Sequence, residues 1–235
     1  MGKPNMKQGP FRAVMLAAAL VLAGTPVLAS DWTVLSMSGP VKFSKAGQWF
    51  HADNMTAISH GAWLKTGVKG YLTLERDGIK VVVRPQTLVA LASLANAPEM
   101  TAIVQRWGGT TLDVEPRGEP RVKVHTPFLA AVVKGTRFDV DVDRCYSRMH
   151  VEEGEITVQD APRGLATDIT SGQGAGSGRS PRNHLSVDGP GERAPFRRIQ
   201  ATSGIVPGLA RDELVTPQNV EEPAMRLPRR PEPLG

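Results

Sequence analysis

Cysteine is nearly absent from this sequence: Cys145 is the only one among 235 residues. A disulfide bond within the chain is therefore excluded, which leaves a free thiol, a bridge to another molecule, or a buried thiol that packs as a small hydrophobe. Packing is favoured, because an isolated cysteine is usually a packing residue and His150, five positions later, is weak evidence for a catalytic pair.

Long apolar runs are also scarce. The longest, residues 13–23 (AVMLAAALVLA), has the length of a secretory signal core and is too short to span a bilayer. Three cations and no acid precede it, and Val27-Leu28-Ala29 provides small residues at the two positions that a signal peptidase reads. Residues 1–29 are thus predicted to be a signal peptide, and the mature protein is predicted to be exported to the periplasm, with secretion from the cell as the alternative.

The sequence has little excess charge outside its two ends. Residues 31–160 hold fifteen Lys or Arg and fifteen Asp or Glu, and the net charge of +5 comes from the leader and from an arginine-rich C-terminal part. Nucleic-acid binding requires clustered cations that release phosphate counterions. The folded part lacks such a surplus, so no nucleic-acid partner is expected.

No arrangement of catalytic groups is visible in the sequence. No serine lies in a nucleophile elbow, and Glu152, Glu153 and Glu155 cluster at a predicted turn, which favours solvation over paired-acid hydrolysis. The histidines show no metal-ligand spacing: His51, His60, His125, His150 and His184. The chain is therefore predicted not to be an enzyme, and no catalytic, cofactor-binding or metal-binding residue is assigned.

Three aspartates, Asp139, Asp141 and Asp143, alternate with apolar residues and are predicted to share one face of a strand. Calcium binding is one interpretation, but a straight strand spreads its ligands apart where a calcium loop brings them together. A solvated outer face is favoured. Three arginines are close enough in sequence to pair with these acids: Arg137, Arg144 and Arg148.

The sequence is rich in short runs in which apolar and polar residues alternate. Asp77-Gly78 and Glu153-Gly154 are typical of hairpin turns, and glycines such as Gly109 and Gly135 separate further runs. Residues 88–97 leave strand and helix equally open, because short apolar runs are ambiguous by periodicity. Residues 30–175 are predicted to form one all-β domain of stacked short strands, arranged as a β-solenoid or a sandwich.

The composition changes after Gly172. Residues 176–235 are rich in Gly, Pro and Arg, and they have too little apolar surface to offset the entropy lost on ordering. This segment is predicted to be a largely disordered tail, with an apolar stretch between Phe196 and Leu209 as one short docking piece.

Three motifs in order resemble the FecR domain. Residues 124–140 (VHTPFLAAVVKGTRFDV) are similar to its V-x-T-P … V-x-G-T-x-F-x-V core, residues 151–158 (VEEGEITV) to its V-x-E-G-x-V-x-V turn, and residues 60–67 (HGAWLKTG) to its x-G-x-x-L-x-T-G start. The resemblance covers roughly residues 34–175. Most of these positions specify backbone geometry, so the resemblance implies a fold more than a ligand.

Well-known FecR proteins combine a cytoplasmic anti-sigma segment, one membrane span and this periplasmic domain. Only twelve residues precede the apolar run here, so we expect a free-standing exported domain. The resemblance implies a non-enzymatic periplasmic module that binds a protein or a cell-envelope component. One alternative is the periplasmic component of a FecR-type system that regulates a sigma factor.

A third interpretation is an envelope protein that associates with glycan, since tryptophans on a β surface can stack on sugars. Core packing is the favoured use of most of the four: Trp32, Trp49, Trp63 and Trp107. The contact surfaces expected for a partner are strand edges and the C-terminal tail, through strand addition or through ordering on binding.

Overall fold

The computed structural model describes residues 31–94, 97–180, 182 and 184–199. The predicted signal peptide and residues 200–235 lie outside the described residues. The 17 strands are β1 (Thr33–Ser38), β2 (Val41–Lys45), β3 (Gln48–His51), β4 (Trp63–Thr66), β5 (Tyr71–Arg76), β6 (Ile79–Val83), β7 (Leu88–Leu94), β8 (Ala97–Val114), β9 (Val122–His125), β10 (Ala130–Val133), β11 (Thr136–Val142), β12 (Tyr146–Glu153), β13 (Glu155–Asp160), β14 (Leu165–Thr170), β15 (Gly174–Gly178), β16 (Ser186–Asp188) and β17 (Arg197–Arg198).

Between β13 and β14 a 3-10 helix spans Ala161–Arg163. Within the described part of the chain, no helix has the length and apolar character needed to cross a bilayer. The prediction of an all-β fold is confirmed.

The strands form two antiparallel sheets that face each other. In the first sheet the order is β1-β5-β6-β8-β11-β12-β15-β16. In the second sheet the order is β3-β2-β4-β7-β8-β9-β10-β13-β14-β17, and β8–β9 is its parallel pair. This is the sandwich-like form of the predicted fold.

The long strand β8 belongs to both sheets. Residues 101–107 pair with β7 and β9 in the second sheet, and residues 108–114 pair with β6 and β11 in the first. Gly108 lies where the strand passes between the sheets and has a φ of +87°, a conformation that favours glycine. Gly109, expected to separate two strands, therefore lies inside one strand.

The core lies between the two sheets and follows the alternation of each strand. Phe138 and Val140 of β11 are fully buried against inward side chains of the second sheet such as Leu64 and Leu91. Their neighbours on β11, including Asp141, point away from the core. The predicted alternation of residues 138–142 is confirmed, because each second residue of a strand meets the same face.

Both predicted turns are present; the first is a hairpin, and the second joins β12 of the first sheet to β13 of the second. Asp77 and Gly78, with φ values of 52° and 73°, join β5 to β6 in the left-handed backbone that a tight hairpin requires. Gly154, with a φ of 93°, lies between β12 and β13.

In the ambiguous segment, Leu88–Leu94 forms strand β7, so the strand interpretation is right for these residues. Both of its faces are covered: Val89 and Leu91 pack in the main core, while Leu88 and Ala90 pack in a second apolar cluster on the outer side of the sheet. A strand that is apolar on both faces loses its alternation, which explains the ambiguity of the sequence.

Strands continue beyond residue 175, where the domain was expected to end. β15 crosses that position, and the Gln173 side chain donates hydrogen bonds of 3.0 Å to the carbonyl oxygens of Pro190 and Glu192. The glycines of β15 lie under side chains from β12: a Cβ at Gly176 would meet Tyr146. Their lack of a side chain thus serves packing, although the same glycine-rich sequence predicted flexibility.

Candidate functional site: an open sheet edge

Strand β1 is an edge of the first sheet. Among the described residues it pairs with β5 alone, with Thr33 opposite Glu75 and Ser38 opposite Tyr71. The register shifts between Val34 and Ser36, which marks a β-bulge at this edge. The poor alternation of this segment in the sequence follows from that bulge.

The composition of β1 leaves its edge without the usual protection. Natural edge strands are often blocked by charged residues or proline, and TVLSMS contains neither. An unpaired strand edge presents backbone N–H and C=O groups that a further strand can bind. The bulge is the one protective feature of β1.

Exposed apolar side chains accompany this edge. Leu35, at the bulge, is 48% exposed, and Tyr71, opposite the last residue of β1, is 41% exposed. Large apolar residues at the surface are informative when they lie together beside unpaired backbone. Leu35 would supply a side-chain contact to a segment that pairs with the open edge of β1.

The start of β1 is held in place by Trp32. This residue is 1% exposed, and its backbone N–H donates a 2.9 Å hydrogen bond to the carbonyl oxygen of Ile58. The Arg76 guanidinium lies 4.9 Å from the centre of the Trp32 ring and donates a 2.7 Å hydrogen bond to Thr101. The edge therefore starts from a fixed point in the core.

Half-buried His60 completes this anchor. His60 contacts Arg76 through Nδ1, and burial together with the nearby guanidinium lowers the pKa of His60 to about 4. Burial also lowers the pKa of Arg76. His60 is thus neutral at ordinary pH, so that Arg76 remains the cation that faces Trp32.

The other sheet edges are shorter. β3 has four residues, β16 has three and β17 has two, against six in β1. The edge at β17 also carries charge: Arg197 forms a bidentate ion pair with Asp168, which lowers the pKa of Asp168. Strand β1 is therefore the best docking edge among the described strands.

The three aspartates have different surroundings. Asp139 and Asp141 share the outer face of β11 as predicted, while Asp143 lies in the following turn and accepts the N–H groups of Cys145 and Tyr146 at 2.7 Å. In the described part of the chain no group of three or more acidic, histidine or cysteine side chains could hold a metal ion.

Asp141 has a partner that sequence proximity did not indicate. Asp141 pairs with Arg84 at 2.7 Å, because both side chains reach across Gly109 on the strand between them. Two of the predicted arginines pair elsewhere: Arg137 with Glu152 at 2.6 Å and Arg148 with Asp188 at 2.7 Å. Contacts between strands decide the pairing, and sequence proximity does not reveal them.

Cys145 is exposed in the turn between β11 and β12. The packing interpretation of this residue is therefore wrong, since its thiol faces solvent. Its carbonyl oxygen accepts a hydrogen bond from the N–H of Arg179 at 2.8 Å.

The tryptophans are mostly packing residues. Trp32 belongs to the main core, and Trp63, 9% exposed, lies in the outer cluster of the second sheet, where Arg106 stands 5.9 Å from its ring. Trp49 and Trp107 are half-buried against that cluster. This placement agrees with packing for Trp32 and Trp63, whereas Trp49 and Trp107 keep part of their surface exposed.

The motif residues of the best-matching segment are structural. Thr126 closes a turn by bonding both the N–H and the C=O of Leu129, which ends β9 just before it. Gly135 is needed for close packing: a Cβ there would come closer than 3.0 Å to three atoms of Pro116. Gly135 does not adopt a positive φ. The sharp turn expected at this position therefore does not depend on the left-handed backbone conformation.

Comparison with known proteins gives a family match over part of the chain. The family model described as FecR protein matches residues 63–157, from the start of β4 into β13. Two crystal structures of a candidate anti-sigma factor from Parabacteroides distasonis ATCC 8503 superpose with a TM-score of 0.46 at 12% identity. The likeness covers 59% of this chain, and the chain spans 60% of the length of those structures. No curated protein matches the chain.

Proposed function

We propose that this chain, in which residues 63–157 match the FecR protein family model, is a non-enzymatic binding module of the periplasm. Its partner is a protein that adds an extended segment to β1. The open, uncharged edge of β1 carries the proposal. The signal-like residues 1–29 support the location.

Strand addition suits this edge physically. Backbone hydrogen bonds from the added segment satisfy the unpaired groups of β1, and alternate side chains of that segment supply specificity. Leu35, on β1 itself, offers apolar contact to that segment. Because β1 carries no charge, the segment that pairs with it is expected to be uncharged as well.

The FecR domain also supports a narrower proposal, in which the partner belongs to a FecR-type signalling system. The module would then act with a membrane protein encoded elsewhere. Loss of the signalling response in a deletion strain, restored by the intact chain, would favour this narrower function. A normal response in the deletion strain would reject it and leave the binding function standing.

The binding function is tested by photo-crosslinking in intact cells. A crosslinking amino acid at Ser36 on β1 should capture a discrete protein, whereas the same probe at exposed Glu153, the last residue of β12, should not. Ser36→Lys should abolish capture, since a charge on an edge strand opposes pairing.

Strand addition itself is tested by hydrogen exchange on the recovered complex. Amides of β1 and of one segment of the captured protein should both be protected, and the amides of β17 should be unchanged. Capture at Glu153 with equal yield, or a complex in which β1 gains no protection, would contradict the proposal.

A further inference from the structure

A row of neighbouring residues crosses the outer face of the first sheet. The strand register places Arg84, Gly109, Asp141, Arg148 and Gly176 side by side, with the Arg84 N–H donating to the Gly109 carbonyl oxygen at 2.9 Å. Neighbours on one face of a sheet lie about 5 Å apart and interact directly. Charged side chains and bare glycines therefore alternate along a short path on this face.

Four residues of this row, Arg84, Gly109, Asp141 and Arg148, form the floor of an open cleft of about 720 Å³. Gln86 lies at one side of the cleft, and the turn after β11, with Asp143 and Tyr146, lies at the other. The volume is within the range of about 300–1,000 Å³ that small-molecule sites occupy. The cleft is separate from the edge of β1.

The backbone beneath the cleft is fixed by a buried polar network. Gln105 donates hydrogen bonds to the carbonyl oxygens of Gly108 at 2.7 Å and Val140 at 3.2 Å, and it accepts one from Thr110 at 2.7 Å. Gln105 and Thr110 are fully buried. A floor held in this way is preorganised, which lowers the entropy lost when a ligand binds.

The glycines allow polar planar groups to lie against the sheet. A Cβ at Gly109 would come closer than 3.0 Å to three atoms of the Arg84 guanidinium group, so this plane lies directly over the Gly109 backbone. A Cβ at Gly176 would likewise collide with the hydroxyl end of Tyr146. The cleft therefore has a flat floor instead of a row of projecting side chains.

The charges that line the cleft are balanced. Arg84 donates through Nη2 to Oδ1 of Asp141 at 2.7 Å, and Arg148 donates through Nη2 to Oδ1 of Asp188 at 2.7 Å. A free anion would have to compete with a carboxylate for each guanidinium group, and the described residues provide no cluster for a metal cation. A neutral ligand fits this balance best.

Donors and acceptors remain available within the cleft. The hydrogen bonds of Arg84 and Arg148 use Nη2, and those of Asp141 and Asp143 use Oδ1. Nη1 of each arginine can therefore donate to a ligand, and Oδ2 of each aspartate can accept. The Tyr146 hydroxyl adds a group that can do both.

We propose that this cleft binds a neutral oligosaccharide. Sugar hydroxyls both donate and accept hydrogen bonds, which matches guanidinium and carboxylate groups placed alternately over a flat floor. An apolar ligand would bury these polar groups without replacing their hydrogen bonds to water, at a cost in free energy. The site differs from the tryptophans, which are used in packing.

Calorimetric titration of residues 30–235 with tetra-N-acetylchitotetraose, and in parallel with maltotetraose, tests the proposal. At least one of these uncharged sugars should bind with a dissociation constant of about 1 mM or tighter. The affinity should be unchanged between low and high salt, because a neutral ligand is not screened. A fluorophore on the exposed Cys145 thiol, beside the cleft, should report the same binding.

Variants locate the site. Asp141→Asn and Arg148→Gln should each weaken binding about tenfold or more, since each removes a group that faces the ligand. Tyr146→Phe removes only the hydroxyl group and keeps the ring, so it tests the site even if the charge variants fold poorly. It should weaken binding several-fold. Arg137→Gln breaks the pair with Glu152 on the same sheet face outside the cleft and should leave affinity unchanged.

Absence of binding by both sugars would overturn the proposal, as would binding that is indifferent to all three cleft variants. Displacement of the sugar by inorganic phosphate, with affinity that falls as salt rises, would assign the cleft to anions instead. Ser36→Lys on β1 should leave sugar binding intact. Failure of the cleft and failure of the β1 edge are therefore distinguishable.

Discussion

At the residue scale, the structural roles of several glycines and of His125 depend on their packing as well as on their positions in the motifs. The sequence correctly predicted Gly78 and Gly154 as turn residues, because dipeptides such as Asp-Gly have a local preference for positive φ. It could not predict why Gly135 is needed, since Pro116 reaches it from a distant part of the chain. Local preference is visible in a sequence, and close approach between distant segments is not.

Gly135→Ala should destabilise the protein by about 1–3 kcal/mol, because the added Cβ overlaps backbone atoms of Pro116 that cannot turn aside. Chemical denaturation measures the change. Gly109→Ala is the matched control: its Cβ would meet only the flexible end of Arg84, so its cost should be well under 1 kcal/mol. Equal costs at the two positions would contradict the packing account of Gly135.

His125 should make the fold sensitive to acid. It is 3% exposed, neither ring nitrogen has a partner among the described residues, and burial lowers its pKa from 6.5 to about 3. Between these values the unfolded chain binds a proton that the folded chain excludes, so stability should rise with pH across this window. The slope from this one group approaches about 1.4 kcal/mol per pH unit.

His125→Leu should remove that slope and leave stability at pH 7 unchanged or higher, because two unpaired buried nitrogens disappear. Denaturation curves at pH 4, 5 and 6, inside the window, and at pH 7, above it, provide the measurement. The exposed His51 serves as control, and His51→Gln should keep the wild-type slope. A slope in His125→Leu equal to that of the wild type would reject this role.

At the element scale, the strands that alternate cleanly were predictable and the strand that changes sheets was not. β11 and the β5–β6 hairpin follow from period two and turn residues. β8 appeared as two strands, because its Gly108-Gly109 pair resembles a turn. The difference is decided by Gln105 and Thr110, whose buried hydrogen bonds hold the bend inside a continuous strand.

Gln105→Leu should therefore cost about 2–4 kcal/mol, since the carbonyl oxygens of Gly108 and Val140 and the hydroxyl of Thr110 lose a buried partner. The loss is read from the midpoint of denaturation. Gln159→Leu, on half-exposed Gln159 of β13, is a control that should change stability by less than about 1 kcal/mol. A small loss at Gln105 would show that the network does not hold the bend.

At the scale of the whole molecule, the all-β class was predictable from composition and turn spacing, but the extent of the folded unit was not. Glycine-rich β15 lacks the apolar alternation that identifies a strand, and its fit under Tyr146 depends on β12. The candidate site was only partly visible: strand edges were expected as contact surfaces, but which strand is an edge depends on the sheet order.

Truncation after residue 175 should be destabilising, because it cuts β15, removes β16 and β17 and leaves β12 as a new edge. We expect the melting temperature to fall by about 10 °C or more, which corresponds to about 3–5 kcal/mol for a domain of this size. Truncation after residue 200 keeps every described strand and should retain most of the stability. Equal melting temperatures for the two truncations would show that the last strands are dispensable.

The single strand shared by both sheets has a thermodynamic consequence. Neither sheet can separate without breaking the pairs of β8, so the described fold should open as one cooperative unit. A ligand on one surface then stabilises the whole unit by the free energy of its binding, whichever sheet it touches. A partner held at β1 would therefore slow the opening of the distant cleft, and a sugar in the cleft would slow the loss of the edge.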